Sequence, residues 1–219
     1  MSFLNIITPL HTKTKRDYLA RMMDDKVHCM VIAKKYGKEY WDGDRRYGYG
    51  GYNYDGRWRV VAEKLVKQYN LKSKAKILDV GCGKAHLLYE IKRILPEVEI
   101  AGIDISKYGI SHAPEEVKSF LKIQKAESNY RWRNKYFDLV ISLNTFHNLK
   151  LFDLKKALSE VERVGKNKFI TMESFRNDLE LFNLECWALT CQAFYSKDEW
   201  EWIFKEFGYT GDYEFIYFE

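Results

Sequence analysis

Strands and helices alternate along the middle of this 219-residue chain, predicting a doubly wound, mostly parallel α/β sheet with helices on both faces. Three observations carry that prediction. The apolar runs at 76–80, 98–104, 137–143 and 168–172 lack strict polar alternation, as in strands covered on both sides. Stretches of helical spacing separate most of them. The first run passes through a glycine turn, Gly81-Cys-Gly83, directly into a helix. A hydrophobic content of 46% and only three prolines fit one sizeable core in a single unit with additions.

Residues 1–58 read as an N-terminal helical extension ending in a Tyr/Gly-rich lid loop, and residues 59–219 as the α/β domain. Helical runs are predicted at 17–24 and 26–35, the second with Val27, Met30 and Val31 on its apolar stripe. The stretch 40–58 holds five tyrosines and five glycines, a density that disfavours regular helix or strand. Its aromatic rings favour a fixed loop over a disordered one, since each can bury a large surface while keeping a polar tip satisfied. A loop of this length in a compact unit is expected to serve function. A helix follows over 58–69, with Val61, Leu65 and Tyr69 four apart. The alternation continues with strand 76–80, helix 86–95, strand 98–104, a helix near 114–120 and strands 121–124 and 137–143. Helix 152–164 and strand 168–172 follow. Residues 175–193 read as helix or irregular. Ser196-Lys-Asp-Glu199 is a capping box opening a further helix, and 212–219 is the last strand.

Ligands of such sheets sit at the carboxyl ends of the strands. The stretch Lys76-Ile-Leu-Asp-Val-Gly-Cys-Gly-Lys-Ala-His86 places Asp79, Gly81, Gly83 and Ala85 in an Asp-x-Gly-x-Gly-x-small pattern. His86 stands where a dinucleotide fingerprint needs its third small residue. The pattern resembles motif I of the class I, Rossmann-like, S-adenosylmethionine (SAM)-dependent methyltransferases. That resemblance extends over residues 75–174. It implies a SAM-dependent methyltransferase, with S-adenosylhomocysteine as product and no metal. Asp79 would then hold the methionine ammonium, with Gly81, Cys82 and Gly83 making room for the cofactor. Asp104 and Ile105, at the end of the second strand, would face the ribose, the carboxylate accepting both hydroxyls. Ala126 and Glu127 would meet the adenine edge, where Lys125 occupies the family's usual acidic position. Asn144 would line the pocket after the fourth strand.

For a hydroxyl or ammonium acceptor the protein must take up a proton. His147, after the fourth strand, is one candidate base, because imidazole titrates near neutrality. Glu173, after the fifth, is the other. The lid loop offers Tyr47, Tyr49, Tyr52, Tyr54, Arg57 and Trp58 to the acceptor, with aromatic faces that attract cations. The polar side chains favour an O- or N-nucleophile on a small polar metabolite such as a sugar, a sugar nucleotide or an amino-acid-like molecule. The alternatives are an RNA or protein methyltransferase and a non-catalytic SAM-binding subunit. Against planar-nitrogen methylation, the fourth-strand motif ends Asn144-Thr-Phe-His147 and lacks the Asn/Asp-Pro-Pro-aromatic signature.

A net charge of +5 is modest and spread along the chain, which argues against a nucleic-acid partner. No run reaches the ~18 apolar residues of a membrane span, and Met1-Ser-Phe-Leu lacks the basic start of a secretion signal. Cys29, Cys82, Cys186 and Cys191 show no Cys-x-x-Cys spacing. The expectation is a cytoplasmic protein with reduced thiols, monomeric or homodimeric, acting on a small molecule.

Overall fold

In the computed structural model, which describes residues 1–49 and 53–219, six strands form one sheet of order β3-β2-β1-β4-β5-β6. They are β1 (Lys76–Val80), β2 (Glu99–Asp104), β3 (Leu121–Ile123), β4 (Phe137–Leu143), β5 (Gly165–Glu173) and β6 (Asp212–Ile216), and every pairing is parallel. The helices are α1 (Thr8–His11), α2 (Tyr18–Met23), α3 (Lys26–Ala33), α4 (Lys38–Asp42), α5 (Trp58–Gln68), α6 (His86–Ile94), α7 (Lys107–Ser111), α8 (Glu115–Lys118), α9 (Leu151–Val164), α10 (Asp178–Trp187) and α11 (Lys197–Glu206).

Successive strand residues point to opposite faces, so the apolar runs feed two cores. Ile77, Ile100, Leu139, Ile141 and Phe169 pack under Val61 and Leu65 of α5, Leu88 and Ile91 of α6, and Leu184 of α10. Leu78, Val80, Ile103, Val140 and Ile170 pack under Leu154, Leu158 and Val161 of α9 and Trp200, Ile203 and Phe204 of α11. Ser196 and Glu199 close their capping box at the start of α11.

Two expectations change, and one open alternative closes. The apolar stripe of α3 is shifted: Val27 and Val31 are 74% and 55% exposed, while Met30 packs against the buried Cys29 and Ala33. The stretch after Lys38 is not all coil, since it holds α4 and a single 3-10 turn over Arg45–Tyr47. The family that the chain resembles usually ends its sheet in an antiparallel hairpin, which leaves open a truncated hairpin or residues 188–195 as the partner strand. That segment forms no strand, and β6 instead lies parallel beside β5.

The outer edge of β6 is covered by the start of the chain. Leu4 N–H donates to Tyr213 O (2.8 Å), and Tyr213 N–H donates to Ser2 O (3.0 Å). Glu214, fully buried, accepts the backbone N–H groups of Ile6 (2.7 Å), Ile7 (2.9 Å to each oxygen) and Thr8 (2.6 Å). A buried carboxylate is tolerated where such donors replace its water. The clamp sends the chain from the sheet edge over the carboxyl ends of the strands, where α2 packs on α10.

Candidate active site

The strand order reverses between β1 and β4, and the crevice there opens into a cavity of about 760 Å³, within the ~300–1,000 Å³ usual for ligand pockets. One end is built by β1, β2 and the loops after β3 and β4. The other is roofed by the N-terminal extension.

At the first end, β1 turns through Gly81 (φ +80°) and Gly83 (φ +54°), left-handed conformations that suit glycine. A Cβ on Gly81 would lie 2.0 Å from Thr145 Oγ1, and one on Gly83 would lie 2.4 Å from the Trp41 ring. The turn does not present an anion cradle. Gly81 and Cys82 both donate their N–H to Ile103 O (2.7 and 3.1 Å), and Gly83 donates to Asp104 Oδ2 (2.8 Å). These three N–H groups tie the turn to β2. The glycines make space, and a phosphate would find no donors in them.

Carboxylates dominate this end. Asp79 is buried and has no hydrogen-bond partner among the described residues. Burial, and then the charge of Asp104, raise its pKa to about 7. A cationic ligand group would supply the missing partner. Asp104 is braced by Gly83 and, through Oδ1, by Ser106 N–H (2.7 Å). Each carboxylate oxygen has two acceptor sites, so both can still accept a diol. Burial raises the Asp104 pKa, against the pull of its backbone hydrogen bonds. Ala126 has its carbonyl held by the Tyr130 hydroxyl (2.7 Å). Ile105, Ala126, Glu127 and Asn144 all line the cavity, as does Cys82. Lys125 swings outward to Glu127 (3.5 Å), leaving Glu127 the better-buried of the two. Among the described residues no cluster of three or more His, Cys, Asp or Glu side chains is placed for a metal ion.

His147 and Glu173 meet at the junction of the two ends. Glu173 donates its backbone N–H to His147 Nδ1 (3.2 Å), so the ring proton belongs on Nε2, which lies 3.5 Å from Glu173 Oε2. That Oε2 is buried without a hydrogen-bond partner. Burial raises the Glu173 pKa to about 7, opposed by Arg16 and Lys26, and lowers that of His147 to about 3. With its acceptor nitrogen already engaged, the imidazole has no lone pair for a substrate proton. The carboxylate has one.

The roof is aromatic. Trp41 Nε1 donates to Ser106 Oγ (2.8 Å) and Tyr36 O (3.1 Å), and its ring lies over Gly83. Lys84 and Asp42 form an ion pair beside it. Tyr40 packs edge-on against Tyr36, Trp41 and Tyr49. Tyr49 OH accepts the N–H groups of Leu189 (3.0 Å) and Thr190 (3.3 Å). Of the acceptor candidates, Tyr49, Arg57 and Trp58 line the cavity. Tyr47 does not, because it packs outward on His28 beneath Arg46. Tyr54 is likewise displaced, its hydroxyl bonded to Glu90 on α6. Tyr52 lies outside the described residues. Unforeseen wall residues are His11, Arg16, Tyr36, Tyr40, Trp41, Trp187 and Phe218. Only Tyr40 and Trp41 had a signal, their place at the head of the aromatic stretch.

Residues 71–208 match a family model described as a methyltransferase domain. The chain is 27% identical over 143 residues to the demethylmenaquinone methyltransferase of Thermotoga maritima, covering 65% of this chain and 59% of that protein. It is 34% identical over 105 residues to the malonyl-[acyl-carrier protein] O-methyltransferase of Acetivibrio thermocellus, covering 43% and 35%. It therefore spans less than two thirds of either relative. Among solved structures, the YcgJ protein of Bacillus subtilis is similar with a TM-score of 0.52 at 21% identity, over 67% of this chain and 66% of that one. A Bacillus halodurans protein to which methyltransferase activity has been ascribed gives 0.55 at 19% identity, over 67% and 68%. These two show a shared fold.

Proposed function

This chain belongs to the class I SAM-dependent methyltransferase family, its methyltransferase domain covering more than half its length, and from that premise we propose that it methylates an O- or N-nucleophile of a small polar metabolite. The observation that carries the reading is the pair Asp79, buried, and Asp104, half-buried, carboxylates on neighbouring strands that flank a glycine floor and face one cavity. Asp79 would hold the methionine ammonium of SAM and Asp104 the ribose hydroxyls, with Ala126 and Glu127 at the adenine. The absence of phosphate-facing donors at Gly81–Gly83 favours this cofactor over a dinucleotide. SAM, when bound, supplies an electrophilic methyl group.

The protein's part is positioning, dehydration and proton uptake. Glu173 accepts the proton that the nucleophile loses as its bond to the methyl carbon forms. His147 accepts the Glu173 backbone N–H at Nδ1 and packs its Nε2 beside the same carboxylate, so it is a positioning residue. Residues 1–58 act as the roof and residues 59–219 as the transferase unit. The four free cysteines support a reducing, cytoplasmic setting. Among the described residues no helix is long and apolar enough to cross a membrane.

Incubation with methyl-labelled SAM and a fractionated cell extract tests the reading. Label is expected in the small-molecule fraction; label confined to RNA or protein would overturn the acceptor class. Asp104→Ala should lower SAM affinity at least tenfold by calorimetry, on the scale of about 1.5–3 kcal/mol for a charged hydrogen bond. Unaltered affinity would remove the cofactor assignment.

A further inference from the structure

The far end of the cavity has the opposite electrostatic character from the cofactor end. Arg16 and Arg45 both line it, and both guanidinium groups lie 5.4 Å over the ring of Trp187, where Arg21, bonded to the carbonyls of Arg45 and Gly48, lies at 4.8 Å. Arg16 also lies 5.4 Å over Phe218. Neither arginine has a carboxylate within ion-pair distance among the described residues. Arg16 is held in its own segment: Nη1 donates to Thr14 O (2.9 Å) and His11 O (3.3 Å), and Nη2 to His11 Nδ1 (3.0 Å). His11 is fixed in turn, since its Nε2 donates to Tyr217 O (2.9 Å). After these bonds Arg16 Nε is left buried without a partner. Arg45 has no hydrogen bond from its guanidinium among the described residues, and its one recorded contact is the indole face. Burial chiefly lowers the Arg16 pKa, Tyr18 and Glu173 oppose it, and repulsion from Arg45 adds to the lowering.

Guanidinium groups crowded over one ring repel one another, and a buried N–H without an acceptor is costly. An anion between them would answer both deficits, and the planar fork of arginine suits a carboxylate or phosphate oxygen pair. We propose that Arg16 and Arg45, backed by Trp187, form a subsite for an anionic group on the acceptor. The acceptor is then a small, flat molecule with a carboxylate or phosphate at one end and its nucleophilic oxygen or nitrogen near Glu173. Trp187, Phe218 and Tyr49 supply flat apolar walls for its body. The inference deepens the proposed activity and rests on it.

Calorimetry on the intact chain, first saturated with S-adenosylhomocysteine, tests the subsite with benzoate, phenyl phosphate and benzamide as probes. At least one anion should bind about tenfold or more tighter than the neutral amide, the scale of one charged hydrogen-bond pair. Which anion it is separates a carboxylate from a phosphate. Arg45→Gln, at an exposed position that folding tolerates, should erase the preference, and Arg16→Gln should reduce it. Equal affinities, no anion binding, or a preference surviving both substitutions overturns the subsite alone. Failure of S-adenosylhomocysteine to bind in the first titration overturns the proposed activity, and the subsite with it.

Discussion

Glu173 is a carboxyl group whose proton leaves near neutrality because burial disfavours its charge. As the proton acceptor, it makes turnover climb as pH passes through about 7 and level off above. Glu173→Gln should remove that limb and lower kcat by roughly 10²-fold or more. His147→Asn should lower kcat by about tenfold, as loss of one neutral hydrogen-bonded support does, and keep the limb. The reverse pattern, a limb lost with His147 and kept without Glu173, would return the proton to the imidazole. Asp79 gives a separate pH signature. Its folded pKa is raised from the ordinary carboxyl range to about 7, so the folded state holds a proton that the unfolded chain has lost. That term makes the ligand-free protein less stable as pH rises from about 4 to 7. Binding of the SAM ammonium needs the ionised form, so affinity should rise with pH and level off above about 7. Asp79→Asn should bind weakly at every pH; a variant that still showed the full rise would place the titrating group elsewhere.

Contacts between elements decide whether the roof sits on the crevice. Gly83 and Trp41 are 42 residues apart in the chain, yet the indole occupies the place a Cβ on Gly83 would need. Gly83→Ala should therefore push α4 away and weaken cofactor binding, while Trp41→Ala should remove the clash and part of the roof together. In a double-mutant cycle the two should couple by about 0.5–3 kcal/mol in unfolding free energy, and strictly additive effects would contradict the contact. This is also where sequence reading reached its limit. Asp79, Gly81 and Asp104 were legible because strand, turn and carboxylate are local in sequence. Arg16 and Trp187 were not, since no pattern brings α10 against the segment before α2. Val27 and Val31 misled for a related reason. In a short helix the buried stripe is chosen by the partner surface, and here Leu189 packs on Cys29 and Ala33.

Across the whole molecule the sheet order followed from the alternation of elements, but its outer edge did not. Likeness to other chains left a truncated hairpin and a partner strand at 188–195 both open, whereas the edge here is sealed by residues 2–8 bonded to β6. Deleting residues 1–8 would leave the Glu214 carboxylate buried and stripped of three donors. The expected loss is about 3–5 kcal/mol of stability, as when a buried charge loses its partner, measured by urea unfolding. Glu214→Gln, which keeps the volume and loses the charge, should lose less. An undiminished midpoint in the deletion would mean that water reaches Glu214 in its place.

The bonds from Ile6, Ile7 and Thr8 to Glu214 span more than 200 residues. A ribosome therefore releases the N-terminal strip long before its docking site exists. During synthesis the first sixty residues must wait beside a half-built sheet, and loop closure over such a distance comes late. The chamber would then be completed only after β6 has emerged, so the nascent chain gains its catalytic enclosure as one of the final events of folding.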